Sequence, residues 1–488
     1  IAENMHRHFK MKRLPFKQAA LYAINEVGNP TILATFTVIA SVLPMAFVSG
    51  LMGPYMAPMP IGASIAMILS LFVALTITPY LGYIFLKEKE KKGSVEKKEK
   101  PLEETFIYRI YNKFERPLIE NSRKRWLFLG LTFLMLMGSM VLFFTKSVAV
   151  KMLPFDNKNE FQVVIDMPEG TTLERTGVVA QEISQYLSTR PEVVNYQNYI
   201  GTSAPITFNG LVRHYDLRGG SNMADIQVNL IDKGERSAQS HDIARLLRPD
   251  IQKIAAKYNA NVKLVEVPPG PPVLSTIVAE VYGPDYEEQM RIANSVQDIL
   301  KNTDDVVDID WLVEADQTEY QFVIDKEKAM LYGVAPQQIA YTMNMALSNR
   351  AITNLYDENA SNQVGLILAL DEKEKSTISD ISQLKITSKH GTMVPIADLV
   401  DIKETTSAKS IYRKNQKRVV YVMADMAGEL ESPAYAILGM EEKLKEIALP
   451  KGYEINEMYL GQPEFEDDYT VKWDGEWQIT LEVFRDLG

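Results

Sequence analysis

A chain of 488 residues is too long for one ordinary domain, and its formal net charge of −11 argues against nucleic acid as a partner. It has no cysteine, so no disulfide scaffold supports it and any water-facing part is held by packing. Its slightly negative mean hydropathy excludes a chain mostly immersed in lipid, yet its apolar residues are clumped rather than spread.

In chain order the first element is a short basic stretch with Lys10, Lys12, Arg13 and Lys17. Three runs without a charged side chain follow: Thr31 to Leu51, Met59 to Leu86 and Trp126 to Thr145. About 20 residues at about 1.5 Å each match a bilayer core of about 30 Å, so each run is expected to be a membrane helix. Pro44 and Pro79 are expected kink sites. Lysines and arginines cluster before the first run and between the second and third, from Lys87 to Lys100 and at Arg123, Lys124 and Arg125. The positive-inside rule makes those flanks cytoplasmic, so everything after about residue 146 is expected outside the cytoplasm. Lys87 to Lys100 reads as a solvated linker. After it, Phe106, Ile107, Ile110, Tyr111 and Phe114 recur at helical spacing among charged residues, which predicts an amphipathic helix on the membrane face.

The part beyond residue 146 reads as repeated β-α-β units. The first is strand Phe161 to Met167, a Pro168-Glu169-Gly170 turn, a helix to Ser188 opened by a capping box of Thr171 and Glu174, and strand Val193 to Ile200. The second is strand Ala224 to Leu230, helix Ser240 to Tyr258 and strand Asn261 to Val267. After the hinge Pro268 to Pro272 come strand Thr276 to Tyr282, helix Tyr286 to Leu300 and strand Val306 to Trp311. A fourth unit is strand Arg418 to Met423, helix Ser432 to Ile447 and strand Tyr453 to Met458. Paired units give split β-α-β (ferredoxin-like) subdomains, with a segment inserted into the second pair. The expected fold is thus an α+β membrane protein with three transmembrane helices and such subdomains. No enzyme constellation is present. His6, His8, His214, His241 and His390 lack metal-ligand spacing, and there is no phosphate-binding glycine-rich motif, so no cofactor is expected.

Several motifs, in order, resemble the resistance–nodulation–division efflux transporters, specifically the second half of the inner-membrane pump of the acriflavine-resistance branch. They are Ala2-Glu3-Asn4 with Arg7-His8, Glu26-Val27-Gly28-Asn29-Pro30, Leu43-Pro44-Met45-Ala46-Phe47, Gly50-Leu51-Met52-Gly53, and Leu71 through Pro79. Farther on are Phe322 through Ala329 with Tyr332-Gly333-Val334, and Gly391 through Ile396. The resemblance implies a layout. Residues 1–30 are the end of a preceding membrane helix and a loop; 31–51, 59–86 and 126–145 are membrane helices; 87–125 is the cytoplasmic linker with the interfacial helix. Residues 146–272 are a first periplasmic porter subdomain, 273–316 and 411–462 a second, 317–410 an inserted docking subdomain, and 463–488 the lead-in to a further membrane helix. It also implies a homotrimer in the inner membrane of a Gram-negative bacterium, working with a periplasmic adaptor protein and an outer-membrane channel. Such a pump exports small molecules from the periplasm or outer leaflet, driven by protons.

In the family, substrate lies in the cleft between porter subdomains beside a switch loop. The resemblance carries that loop onto Gly201 to Asn222, with Phe208, Gly210, Leu211, Gly219 and Gly220; its glycines predict easy bending. Heavy-metal members use three cleft methionines, since thioethers suit Cu(I) and Ag(I). Met167 and Met223 match two of those positions, while Leu274 stands at the third, which favours amphipathic organic substrates. Heavy-metal efflux, or lipid or protein export, is the alternative. The family's proton relay uses acids on its fourth membrane helix and a lysine on its tenth. No ionisable group lies in the three apolar runs, so these 488 residues alone are not expected to transport.

Overall fold

The structure, a computed structural model, describes every residue except 87–105, 146, 149–155, 206, 268–272, 429, 451 and 488. The side chains of 107, 143, 144, 208, 209 and 372 are likewise outside the description. The linker Lys87 to Lys100 and the hinge Pro268 to Pro272 therefore lie outside the described residues. The chain forms two compact units, 1–313 with 411–488 and, separately, 314–410.

Helix α1 (Ala2–Met11) packs Met5 and Phe9 against Ala19, Ala20 and Ala23 of α2 (Phe16–Val42). Helix α2 thus starts well before the apolar run at Thr31 and includes Glu26. That carboxylate accepts from Asn4 Nδ2 at 3.0 Å and Arg7 at 3.0 Å, and lies 2.8 Å from His8 Nε2. The apolar run from Thr31 itself holds no charged residue; alanine-rich packing on α1 extends the helix past it to take in Glu26. Pro44 does not kink α2. The α-helix stops at Val42 and gives way to a 3-10 turn, Leu43–Phe47. Then come α3 (Met52–Met56), α4 (Pro58–Leu75) and α5 (Ile77–Phe85). Their break at Thr76 has a backbone cause: Pro79 has no N–H for the Leu75 carbonyl four residues earlier. Helix α6 (Phe106–Glu120) is followed at once by α7 (Ser122–Phe144). Among the described residues, three stretches are long and apolar enough to cross a membrane: Phe16–Phe47, Met52–Phe85 and Ser122–Leu142.

In the first sheet, alternate residues face the helices. It uses β1 (Glu160–Asp166), β2 (Val193–Thr202), β3 (Gly219–Leu230) and β4 (Asn261–Val265), with α8 (Leu173–Ser188) between β1 and β2, α9 (Phe208–Arg213) between β2 and β3, and α10 (Ser240–Ala256) between β3 and β4. The spatial order is β2-β3-β1-β4, antiparallel throughout. Phe161, Val163 and Ile165 point with Ala224, Ile226 and Val228 toward α8 and α10, where Ile183, Leu187, Leu247 and Ile251 close the core. Each such large side chain contributes about 1.5–3 kcal/mol on burial. The capping box expected at Thr171 and Glu174 does not form. Thr171 Oγ1 donates to the Pro168 carbonyl at 2.5 Å, inside the turn, and Thr172 is the cap residue. The box belongs to α10 instead, between Gln239 and Asp242.

Strand β5 (Ile277–Tyr282), α11 (Tyr286–Lys301) and β6 (Val306–Trp311) begin a second sheet. The chain next builds the separate unit, from β7 (Thr318–Ile324), α12 (Lys326–Tyr332), α13 (Pro336–Leu347), β8 (Ala351–Leu355), β9 (Val364–Ile367), α14 (Ile378–Ser382), β10 (Lys385–Thr387), β11 (Met393–Pro395) and β12 (Val400–Thr406). These strands pair as three two-stranded ribbons, β7 with β12, β8 with β9 and β10 with β11. A small core of Ala329, Val334, Ile339, Ile386, Ile396 and Leu399 holds the unit. Asp325 caps α12 through the Glu327 and Lys328 amides at 3.0 Å, and Gly333 ends it in the left-handed region, φ 68°.

After a separate small hairpin, β13 (Arg413–Lys414) with β14 (Lys417–Arg418), the second sheet is completed by β15 (Val420–Met426), β16 (Asn456–Met458) and β17 (Thr470–Gly475), with α15 (Pro433–Lys445) between β15 and β16 and α16 (Glu476–Leu487) after β17. Its order is β16-β17-β5-β15-β6. The strand expected at Tyr453 to Met458 shrinks to a three-residue edge parallel to β17, and β17 takes the place beside β5. The segment from 463 expected as a lead-in therefore contains a core strand. Lys472 and Asp474 hide its pattern, although Val471 and the fully buried Trp473 point into the core.

Candidate functional site

The two sheets meet along their edge strands β4 and β6, and on each the helix-free face brings charge to that seam. On the first sheet that face carries Gln162, Val164 and Asp166 of β1, opposite Gln227, Asp225 and Met223 of β3, with Lys263 on β4. On the second it carries Glu280 and Tyr282 of β5, Tyr421, Met423 and Asp425 of β15, and Asp310 of β6. Four cationic side chains from the first side meet four carboxylates from the second.

Arg213, on α9, binds Asp425 in fork geometry at 2.8 and 3.2 Å, with the carboxylate also taking the Thr276 amide and hydroxyl at 3.0 and 3.1 Å. Burial alone would raise the Asp425 carboxyl, but Arg213 holds it down to about 2. Lys263 bridges Asp166, at 2.8 Å, and Asp310. Burial opposes the ammonium; the two carboxylates prevail and raise its pKa above the usual lysine value. Arg248 binds Asp308, whose other oxygen accepts the Leu264 amide at 3.1 Å. Asp308 sits at a β-bulge in β6 with φ 51°, and the bulge re-aims its carboxylate across the seam. His241, at the start of α10, lies 2.7 Å from Glu266 on its own side and 2.6 Å from Glu431 before α15. Burial works against its charge, but the two carboxylates lift it to about 9.

The segment expected as a flexible switch loop is anchored into this seam. It folds as α9 and a 3-10 turn, Tyr215–Leu217. Arg213 ties it to Asp425; Arg218 ties it to Asp166 at 2.6 Å and to Asp225 at 3.3 Å. Gly210 is buried in α9, while Leu211 is exposed. Gly219 and Gly220 open β3, and Gly220 has φ 148°, a conformation that favours glycine. For Phe208 only the backbone, at the start of α9, is described. The glycines bend the entry to β3, and the arginines hold the middle of the segment by ion pairs.

Met167 and Met223 do not converge. Asp166 pairs with Met223, so Met223 shares the seam face, whereas Met167 is one residue on and packs in the core between sheet and helices. Leu274 is half-buried just before β5. Among the described residues no group of three or more His, Cys, Asp or Glu is arranged to hold a metal ion.

A second charged cluster lies on the second sheet. The fully buried Lys472 donates to Glu280 at 3.2 Å, Asp474 at 3.3 Å and Gln478 at 2.8 Å, so its three protons find three acceptors. Lys414 reaches the same two carboxylates. Gln478 is on α16, and α16 also carries Asp486, which accepts from the Ser49 amide and hydroxyl at 2.7 and 2.6 Å. Bonds therefore run from the end of the first membrane stretch to the sheet. Sequence reasoning missed both clusters. Their signal was charge inside β-alternation, as at Lys263, Asp310, Glu280 and Lys472, which reads locally as an exposed strand face.

Among the described residues, three apolar spans and two α/β sheets joined at a charged seam define a polytopic membrane protein with a large extramembrane domain. The family model described as AcrB/AcrD/AcrF matches residues 1–466. The chain belongs to that family, within the resistance–nodulation–division transporters. It is 23% identical over 447 residues to the swarming motility protein SwrC of Bacillus subtilis (strain 168), covering 88% of this chain and 38% of that one. It is 23% identical over 456 residues to an uncharacterized transporter of Haemophilus influenzae, covering 93% and 41%. Crystal structures of a heavy-metal efflux pump in two crystal forms superpose with TM-scores of 0.73 and 0.72 at 16% and 15% identity. They cover 100% of this chain and 44% and 45% of theirs. The chain thus spans about two fifths of the length of these curated relatives.

Proposed function

We propose that the chain is the substrate-handling part of a proton-driven efflux pump for amphipathic and hydrophobic organic compounds. The two sheets with their helices are porter subdomains of the ferredoxin-like kind, and unit 314–410 is the docking subdomain. The pump is a homotrimer of the inner membrane of a Gram-negative bacterium, with the sheets in the periplasm, an adaptor protein alongside and an outer-membrane channel beyond. Substrate enters between the two sheets when the seam opens, and Phe208, Gly210, Leu211, Gly219 and Gly220 gate it.

The observation that carries this reading is the seam itself. Two sheets joined by four cation–carboxylate bridges separate into two hydrated charged faces, whereas an apolar seam would resist wetting. A clamp that must open and close each cycle is served by such a contact. The substrate class rests on Met167, which packs in the core and leaves one methionine of the pair on the seam face. One thioether is a weak soft-metal ligand set. The likeness to a heavy-metal pump is at 15–16% identity and carries the fold alone. The test is dye and detergent accumulation in cells expressing the complete pump. Several-fold lower accumulation of cationic dyes, without protection against copper or silver, is expected; metal protection with unchanged dye accumulation overturns the substrate class.

A further inference from the structure

Helix α6 has a job that efflux does not assign. Its apolar residues Phe106, Ile110, Phe114 and Pro117 recur at i, i+4, i+8 and i+11, so they form one stripe along the helix. Arg109, Lys113 and Arg116 recur at i+3, i+7 and i+10 and run beside that stripe along one edge. Among the described residues nothing covers the phenylalanines of the stripe: Phe106 is 75% exposed and Phe114 62%. Only Asn121 separates α6 from α7, which enters the membrane span at Ser122. The elbow is fixed. Asn121 Oδ1 accepts the Arg123 amide at 3.0 Å, and Arg125 donates to the Ile119 carbonyl at 2.9 Å. A helix joined this tightly to a membrane span lies at the lipid boundary, whichever side that is.

Charge selects the lipid. Residues 106–125 hold six basic side chains against two acidic ones, Glu115 and Glu120, in a chain of net charge −11. Arg116 pairs with Glu120 at 2.7 Å, while among the described residues Arg109, Arg123 and Lys124 have no carboxylate partner. We propose that α6 is a docking surface for anionic phospholipid headgroups: its phenylalanine stripe sinks into the leaflet where α7 enters, and Arg109, Lys113 and Arg116 bind headgroup phosphates along its edge. Either force alone is weak. Together they give the two-signal attachment that holds a helix on a membrane and makes it selective for anionic lipid.

The test uses the full chain in lipid nanodiscs and its tryptophan fluorescence. Trp126 is the only tryptophan in the membrane-spanning part; Trp311, Trp473 and Trp477 belong to the sheet-bearing part. Brominated phosphatidylglycerol competing with phosphatidylcholine is expected to quench Trp126 with about a fivefold or greater preference at about 50 mM salt, collapsing at about 500 mM. Replacing the edge cations (R109Q/K113Q/R116Q) is expected to reduce that preference to less than about twofold. Placing a reporter on the stripe itself (F114W) is expected to add emission that brominated lipid quenches. Equal quenching by both lipids overturns the proposal, as does a preference that survives the triple substitution. An F114W signal untouched by brominated lipid shows the stripe covered by protein instead, and also overturns it. The salt titration reads the unmodified chain, so the test stands even if a variant fails to fold.

Discussion

Arg213 gives the sharpest perturbation of the seam. In Arg213→Met the side chain keeps its apolar stem and loses the fork that binds Asp425 at 2.8 and 3.2 Å. Asp425 normally sits near 3.8 and is held at about 2. Because the folded value is depressed, the stabilisation is present above about 3.8 and lost only as pH falls through about 2, so it is fully present at neutral pH. That depression corresponds to roughly 2–3 kcal/mol. Breaking a buried pair by removing one partner costs about 3–5 kcal/mol in comparable cases, so roughly 2–3 kcal/mol is a modest expectation. The loss falls on the local opening of α9 and the following turn, read by hydrogen exchange at the amides of Leu211, Leu217 and Arg218, all of which are bonded within this segment. Their protection is expected to fall roughly 50–100-fold, since each ~1.4 kcal/mol is tenfold. Arg213→Lys keeps the charge without the fork and is expected to lie between. In a cycle with Asp425→Asn the coupling should be about 2–3 kcal/mol. Protection changes below about threefold in both single variants would refute the idea that this pair anchors the segment.

Four further outcomes follow from the same geometry. His241 is held at about 9, above its ordinary 6.5, so its contribution is complete below about 6.5 and is lost as pH rises through about 9. The thermal midpoint of the chain should therefore drop more steeply between pH 7 and 10 than that of His241→Gln, with an upper bound of ~3 kcal/mol for the link. Lys263→Met strips the partner from Asp166 and Asp310 and should destabilise the chain by about 3–5 kcal/mol, with Asp310→Asn restoring part of it in urea unfolding. Met167→Ala should cost about 2–5 kcal/mol as a core cavity, while Met223→Ala should cost under about 1 kcal/mol, and neither should change silver binding by calorimetry. Asp486→Asn weakens the bonds to Ser49 and should raise exchange in α16 by about tenfold while sparing β1.

The long-range architecture was legible because its signals are periodic and redundant. Uncharged runs located the membrane stretches, and alternation at Phe161, Val163 and Ile165 located β1. Boundaries were not legible where small residues extend a helix, as Ala19, Ala20 and Ala23 extend α2 toward Phe16. Strand β17 escaped because a fully buried lysine is rare, and Lys472 is tolerated through Glu280 on β5, distant in sequence, together with the nearby Asp474 and Gln478. The seam was illegible for the same reason. Arg213 and Asp425 are 212 positions apart, and nothing in either neighbourhood marks the other. The methionines show the reverse failure. Their positions in the chain matched a motif, but pleating sends Met167 and Met223 to opposite faces.

The claim that the cleft between the sheets receives amphipathic organic molecules is tested most directly by photolabelling. The complete pump, reconstituted in lipid, is irradiated with a diazirine-bearing amphipathic cation, and labelled peptides are mapped. Label is predicted within residues 199–225 and 273–282, competed by unlabelled dye and enriched when Arg213→Met loosens the seam. Label confined to the membrane helices or to 314–410, or unchanged by competing dye, would contradict it.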